Sequence, residues 1–526
     1  MSSTPEGYSS PDVACLPSRT AVSFQDPLNY EESDLESYIP APDTVTDTLD
    51  VNEEQPRFVV VPKASKRGCD LLVETGYTYQ RDGKINKKGQ QRWRCTVRNS
   101  NVMCLASVMQ CENSFTRGAQ PHKCMTSDCA LPAAQIKSYL RIEGKSRPFV
   151  SGSTIVKEAM NKYLPTDAPC TSLPSVSAMI RSTNLCRQKK RPKHPKNLEF
   201  EWVEEAIPPD FLQKDIRVGS ARHIIFYTSL MLDLLSAVKT WYVDGTFKSV
   251  QKPFYQLWSI HGYIKQNEHI KQVPLMMVLM SRRSKADYRA VLQYVKSTLS
   301  TTAVRAVVSD FEMAVWSAFR EIFSNVAIRG CNFHWCQAIW KKIKECGLSN
   351  LYYRKSKSRK FLGEVMSLPF LPPEQIPITF QDFQDVIRPS HHQGFHQLLE
   401  YMESTWISSC IFPPSSWSIF GLVIRTNNDV EGWHNGLNKL CAKAGNENYN
   451  INVYELIQVL HHECRQVATQ YQLVTEGKLQ RYQRMTFRCY QGKIFDIWES
   501  YNAKSITPSQ LLEQVSALKN PSEGDG

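Results

Sequence analysis

Two short apolar runs, each closing on an aspartate, constrain this chain more than any other feature. Thr240 to Phe247 reads TWYVDGTF, and Ala303 to Phe311 reads AVRAVVSDF. Runs this short, rich in Val and aromatic residues, predict strands rather than helices. An acid at each strand end puts carboxylate where a sheet meets solvent, and Gly245 beside Asp244 leaves room for a ligand against the backbone. One such acid is common, so the question is whether others converge on it.

The segments around these runs predict an α/β order. The run 223–239 (HIIFYTSLMLDLLSAVK) is apolar and predicts a helix, and 254–264 (FYQLWSIHGYI) and 272–280 (QVPLMMVLM) predict strands. Residues 285–300 carry Ala286, Tyr288, Val291, Leu292 and Val295 at helical spacing, and 314–324 predicts a second helix. The run 326–335 (VAIRGCNFHW) predicts a fifth strand and 336–347 a further helix. Three adjacent strands followed by alternating helices and strands is the order of a ribonuclease H-like fold. In that fold the strands ending at Asp244 and Asp310 lie side by side.

A third acid is expected from a later helix, in 425–442 (RTNNDVEGWHNGLNKLCA). At 3.6 residues per turn, Glu431, Asn435 and Asn438 share one face, while Val430, Trp433, Leu437 and Leu440 share another. Asp429 lies roughly 200° from Glu431, which makes it the weaker candidate. Asn427 or Asn428 suits the helix cap. Three carboxylates call for hard cations, Mg²⁺ or Mn²⁺, and a pair of such ions activates a hydroxyl and stabilises a leaving oxygen in phosphoryl transfer.

Charge is divided unevenly. Residues 1–55 hold one base, Arg19, against twelve acids, so the remainder carries +23 in a chain of net charge +12. That remainder favours a polyanionic partner, nucleic acid first. The first 55 residues are too poor in large apolar groups to offset chain entropy and predict a disordered acidic tail. The run Arg187–Lys196, held extended by its prolines, suits nuclear import or contact with phosphates. No apolar run reaches membrane-spanning length and no export signal precedes the body, so the sixteen cysteines are expected as reduced thiols and metal ligands.

Residues 56–130 change character. RFVVVP, GYTY and QRWRCTV predict short strands, joined by basic turns, that cannot bury much core without a staple. Cys95, Cys104, His122 and Cys124 supply soft thiolates and an imidazole suited to tetrahedral zinc, with Cys69, Cys111 and Cys129 as neighbouring competitors.

The order Gly76, Tyr77, Tyr79, Trp93-Arg94-Cys95, Cys104 and a terminal His122-Lys123-Cys124 resembles the FLYWCH zinc-finger family, which ends in His-x-His. By resemblance the module binds DNA or a protein partner. VDGTFK, VVSDFE, CNFH and NNDVEGWHNGLN resemble, in order and spacing, a Mutator-like (MULE) transposase domain across roughly residues 220–470. That resemblance implies a ribonuclease H-like core with a helical insertion before the glutamate, and catalytic acids Asp244, Asp310 and Glu431 holding Mg²⁺ or Mn²⁺. Cys331 and His334 match the family's Cys-x2-His signature; two ligands are too few for zinc, so this pair is expected to be structural or DNA-contacting.

The expected organisation is an acidic tail (1–55), a FLYWCH-like zinc finger (56–130) and a helical, basic linker (131–219). The core follows (220–349), then a helical insertion (350–425), core completion with C-terminal helices (426–503) and a polar tail (504–526). The expected function is a nuclear DNA transposase that cuts and joins strands at element ends, acting as a homo-oligomer on double-stranded DNA with no membrane role. The alternatives are a domesticated, non-catalytic DNA-binding transcriptional regulator and a nuclease that cuts without joining. Trp406 and Trp417 suit either base stacking or core packing. The pairs His392/His396 and His461/His462 lack further ligands.

Overall fold

The computed structural model describes residues 14–15, 58–164, 170–353, 357–389, 391–444, 451–482 and 485–518. Apart from Ala14 and Cys15, the expected acidic tail lies outside the described residues. The chain divides between Pro192 and Lys193 into two compact units, with Ala14 and Cys15 (β1, Ala14–Cys15) belonging to the second.

The first unit opens with six antiparallel strands in sequential order: β2 (Val59–Val61), β3 (Leu71–Glu74), β4 (Tyr77–Asp82), β5 (Gln90–Cys95), β6 (Ser107–Cys111) and β7 (Ser114–Arg117). Alternation in β5 sends Gln91, Trp93 and Cys95 inward and Arg92 outward. Leu72, Tyr79, Trp93, Cys95, Cys104 and Val108 make a small core. Three helices follow, α1 (Ala130–Ser146), α2 (Gly152–Tyr163) and α3 (Val176–Gln188), packed through Ile136, Leu140, Ile155, Val156 and Met179. Ser151 caps α2 by accepting a hydrogen bond from the Thr154 amide.

Two expectations change in this unit. Cys129 and Cys170 are joined as a disulfide, so not every cysteine is a reduced thiol. The basic run begins inside α3: Arg187 is buried and donates to Asn184, and Lys189 to Arg191 turn back onto the helix end.

In the second unit, β8 (Leu212–Val218) and β9 (Ala221–Phe226) form a hairpin, followed by α4 (Ser229–Ala237) and β10 (Thr240–Thr246). Next come β11 (Gln256–Gln266), β12 (His269–Met280), α5 (Lys285–Thr298), β13 (Ala306–Ser309), α6 (Met313–Ile322), β14 (Ala327–Gly330) and α7 (Asn332–Glu345). The strand order is β14-β13-β10-β11-β12-β9-β8, with β1 beside β11. β14, β13 and β10 run parallel, while the other pairs on this path are antiparallel.

The run 223–239 is thus not one helix. His223–Phe226 is buried on both faces and completes β9, and Thr228 caps the helix that starts after it. A continuous apolar run does not distinguish a doubly buried strand from a buried helix. The run 326–335 is also split: β14 ends at Gly330 and Asn332 already belongs to α7. A β-carbon on Gly330 would collide with the Phe311 ring, so the chain turns there in close contact with the neighbouring strand end.

Helices α5 and α6 cover one face with Tyr288, Val291, Leu292, Trp316 and Phe319, all fully or nearly fully buried. Burying each such side chain is favourable by roughly 1.5–3 kcal/mol before entropy is counted. The segment expected as an insertion contains α8 (Ser349–Tyr353), α9 (Lys357–Val365), α10 (Gln375–Val386), α11 (Gln393–Met402) and α12 (Pro414–Trp417). Trp406 and Trp417 are 3% and 1% exposed and pack with Trp335 and Phe412, which rules out base stacking by either in this conformation.

Helices α13 (Asn428–Ala444), α14 (Val453–Thr475), α15 (Met485–Asn502) and α16 (Pro508–Leu518) close the unit. The last corrects the expected polar tail, because Leu511, Leu512 and Val515 are buried and Lys360 pairs with Glu513 at 2.7 Å. Among the described residues, no helix is long and apolar enough to cross a membrane.

Candidate active site and metal centres

Three neighbouring parallel strands end in residues able to do chemistry. Tyr242 on β10 stands opposite Val308 on β13, which stands opposite Arg329 on β14. Continuing that register by two residues aligns Asp244, Asp310 and Cys331 in one row at the carboxyl edge of the sheet, where open α/β sheets commonly hold ligands. Asp244 is buried, and Asp310 and Glu431 are half-buried.

Glu431 arrives from α13, whose first turn lies over this edge. Val430 packs into a cluster with Tyr242, Val308 and Cys331. Asn427 precedes the helix and ties it to the sheet: its side-chain amide donates to the Val243 carbonyl at 3.2 Å, and its backbone amide donates to Cys331 Sγ at 3.2 Å. Asn438, expected on the open polar face with Glu431, is buried against Ser249 and Thr246, and Leu440, expected on the packing face, is 38% exposed. The helix is rotated so that polar groups as well as apolar ones face the sheet. Asp429 points elsewhere, to Arg481 at 2.7 Å and the Tyr263 hydroxyl.

Two groups that sequence reasoning missed complete the cleft. His434, three residues after Glu431 and so on the same helix face, has Nδ1 at 3.3 Å from Asp244 Oδ2 and Nε2 at 3.1 Å from Ser259 Oγ. Glu312 lies near Asp310 and pairs with Arg283 at 3.8 Å. The i, i+3 spacing of Glu431 and His434 was the available signal.

The carboxylates are electrostatically crowded. Burial raises the Asp310 pKa and the charge of Asp244 raises it further, against opposition from His334. Burial also raises Glu431; His334 and His434 oppose that shift while Asp244 adds to it. Glu312 is raised by burial and then by Asp310. Acids raised by a neighbouring carboxylate are short of positive charge, the charge that a divalent cation carries. The donor type of Asp244, Asp310 and Glu431 suits a hard ion, while the groups that bring ligand atoms within 4.8 Å of one another among the described residues include neither Asp244 nor Asp310.

Among the described residues, two groups bring His, Cys or acid ligand atoms within 4.8 Å of one another. One is Cys331, His334 and Glu431; the other is Cys95, Cys104, His122 and Cys124. The first joins the Cys-x2-His pair to the expected third acid, with His334 Nε2 at 3.6 Å from Glu431 Oε1.

In the second group, Cys95 Sγ and Cys124 Sγ are 3.7 Å apart, and His122 Nδ1 is 3.4 Å from both Cys104 Sγ and Cys124 Sγ. Ligands about 2.0–2.3 Å from a tetrahedral zinc stand about 3.4–3.8 Å from each other, so this set fits. His122 Nε2 meets Tyr79 Oη at 2.8 Å, and that hydroxyl donates to Glu74 at 2.7 Å. The chain of hydrogen bonds leaves the Nδ1 lone pair turned toward the sulfurs. Tyr77 stacks on the ring with centroids 3.6 Å apart. Of the competitors, Cys129 is taken by Cys170, and Cys69 and Cys111 are exposed. His392, His396 and His461 make local contacts to Gly394, Arg388 and Phe211 instead.

A cleft of about 1060 Å³ lies between this sheet and α1 and α3. Lys66, Arg67, Arg81, Arg94, Lys137 and Arg141 line it, and none of the residues lining it is acidic.

Residues 240–338 match the MULE transposase domain family, and residues 62–123 match the FLYWCH zinc finger domain family. No curated protein is a significant match to the chain. The first match takes in Asp244, Asp310, Cys331 and His334, and the second takes in Cys95, Cys104 and His122. The chain therefore carries a MULE transposase domain preceded by an N-terminal FLYWCH zinc finger domain.

Proposed function

We propose that the protein is a Mutator-like DNA transposase that binds element ends and cuts and joins DNA strands at Asp244, Asp310 and Glu431. The observation that carries this reading is the shared row of Asp244 and Asp310 at the edge of two parallel strands, with Glu431 lowered over it from α13. The sheet order supports a ribonuclease H-like core: β10, β11 and β12 form the antiparallel half, and β13 and β14 extend it in parallel beyond β10. Mg²⁺ or Mn²⁺, when bound, activates the attacking hydroxyl and stabilises the leaving oxygen. The chain's own contribution is to fix the acids. Asn427 anchors the start of α13, Asn438 anchors its middle, and His434 holds Asp244 from behind.

The finger, loaded with structural zinc through Cys95, Cys104, His122 and Cys124, and its acid-free basic cleft serve DNA binding. A nuclear setting and a homo-oligomer that brings two ends together belong to the same reading. Labelled element ends with Mg²⁺ test it, comparing the wild type with Asp244→Ala. Cleavage and joining by the wild type but not by the variant is expected. Specific DNA binding without cleavage in the wild type overturns the enzyme reading in favour of a DNA-binding regulator. Cleavage without joining leaves a nuclease, and equal activity in the variant removes Asp244 from the site.

A further inference from the structure

We propose that Cys331, His334 and Glu431 form a second soft-metal site, distinct from the finger, which takes a thiophilic divalent cation of the zinc class and shares Glu431 with the acid cleft. Its ligand atoms lie within 4.8 Å of one another, which small side-chain adjustments close to the roughly 3.4–3.8 Å edges of a tetrahedral site. Three protein ligands leave one position open, the layout of zinc sites that bind a further group.

The local folding explains why these three meet. Cys331 follows the last residue of β14, and His334 sits one turn later in α7, so the two project from the same side of a helix start. Glu431 occupies the first turn of α13. Two helix N-termini thus approach one point, where the helix dipoles favour anionic ligands such as thiolate and carboxylate.

Hydrogen bonding gives an independent reason to expect an ion. Glu431 Oε1 is buried and has no hydrogen-bond partner, and the 3.6 Å between His334 Nε2 and Glu431 Oε1 is too long for a good one. A buried carboxylate oxygen left in that condition is costly, and a bound cation removes the cost. Cys331 is fully buried, and its sulfur already accepts the Asn427 amide at 3.2 Å. The finger uses the same device, with the Val97 amide 3.5 Å from Cys95 Sγ. A thiolate ligand selects zinc-class ions over Mg²⁺, so this site and the carboxylate cleft discriminate between metals by donor softness.

Sharing Glu431 makes the inference rest in part on the catalytic reading, but metal content is measurable without DNA. Zinc per chain is determined on the full-length protein after exhaustive dialysis, for the wild type, Cys331→Ser, His334→Ala and a Cys95→Ser/Cys104→Ser double variant. Cobalt-substituted samples report thiolate ligation through the sulfur-to-cobalt charge-transfer band. The wild type is expected to retain one ion for each of the two clusters. Each cleft variant should lose one ion and keep the finger's cobalt band, and the finger variant should lose the other. His334→Ala, at a partly exposed position, reads the same ion if Cys331→Ser fails to fold. Wild-type zinc content in folded His334→Ala, or complete loss of zinc in the folded finger variant, overturns the proposal. A catalytically active chain whose zinc ignores Cys331 and His334 loses this site and keeps the transposase reading. An inactive chain whose second ion depends on them does the reverse.

Discussion

His434 bridges Asp244 and Ser259, with Nδ1 at 3.3 Å from the carboxylate and Nε2 at 3.1 Å from the hydroxyl. Both ring nitrogens are thereby committed, and the imidazole fixes the orientation of Asp244 while Glu431, one turn earlier on α13, faces the same cleft. Groups that orient a metal ligand from behind typically change metal affinity by about 10–100-fold when removed. His434→Ala is therefore expected to raise the Mg²⁺ concentration for half-maximal DNA cleavage by about that factor, with DNA binding unchanged. His434→Gln, which keeps a polar group near Asp244, should recover part of the loss. An unchanged Mg²⁺ dependence in His434→Ala removes this positioning role.

Glu431 and Asp429 stand two residues apart and should respond differently. Glu431→Gln removes a charge from the cleft; losing several kcal/mol of transition-state stabilisation slows cleavage by at least about 10³-fold. Asp429→Asn disrupts the pair with Arg481, 2.7 Å away, and is expected to cost about 1–3 kcal/mol of stability with near-normal cleavage at low temperature. Denaturant unfolding and single-turnover cleavage on the same two variants separate these effects. The reverse pattern would exchange the roles of the two acids.

In the finger, Tyr79 Oη links His122 Nε2 to Glu74. Tyr79→Phe keeps the packed ring and removes only that link, so zinc affinity should fall by about 10–100-fold. Competition with a chromophoric chelator measures it. Full chelation should unfold the sheet of the first unit, because its core is small and includes Cys95 and Cys104 themselves.

Asp287 anchors the start of α5 and meets Arg282 at 2.9 Å and the buried His223 at 3.1 Å. Burial opposes its charge, but hydrogen bonds from Arg282, Ser284 and His223 outweigh burial and hold its pKa down to about 2. A carboxyl depressed from 3.8 contributes stability above its unfolded value, and that contribution disappears as pH falls through about 2. His223 is depressed chiefly by burial, so its contribution is lost as pH falls below the ordinary 6.5. Stability of the second unit should therefore decline from about pH 6.5 and fall more steeply below about pH 4. Asp287→Asn should flatten the steep part, as read from thermal melts across pH.

Trp417 is 1% exposed and stacks on Trp335 with centroids 5.2 Å apart. Trp417→Ala is expected to destabilise the second unit by about 3–5 kcal/mol through lost burial and a large cavity. DNA affinity at a temperature where the variant stays folded should match the wild type. A selective loss of DNA binding would return this residue to a base-stacking role.

Much of the second unit was legible because its strands are short, apolar and closed by acids, and because α5 repeats its apolar residues at helical spacing. What escaped had physical causes. His223–Phe226 is buried on both faces, which erases the alternation that marks a half-buried strand. Asn332–Trp335 carries aromatic residues that favour strands, yet packing of Gly330 against Phe311 ends β14 and turns the chain into a helix. The side of α13 that faces the sheet was misjudged because Asn438 is polar and buried, satisfied by Thr246 and Ser249, residues that are distant in sequence. His434 was passed over for the same reason: its partners, Asp244 and Ser259, are brought to it only by the fold.

Order of synthesis gives the position of α13 a further meaning. Asp244, Asp310, Cys331 and His334 all leave the ribosome before the helices α8 to α12, whereas Asn427, Glu431 and His434 leave after them. A nascent or prematurely terminated chain that stops short of α13 holds two aspartates on a sheet edge but lacks Glu431, the histidine behind Asp244 and the amide that donates to Cys331. Such a fragment has no means of assembling the cleft. On the proposed reading, competence to cut DNA is thereby deferred until translation has passed the whole intervening helical segment.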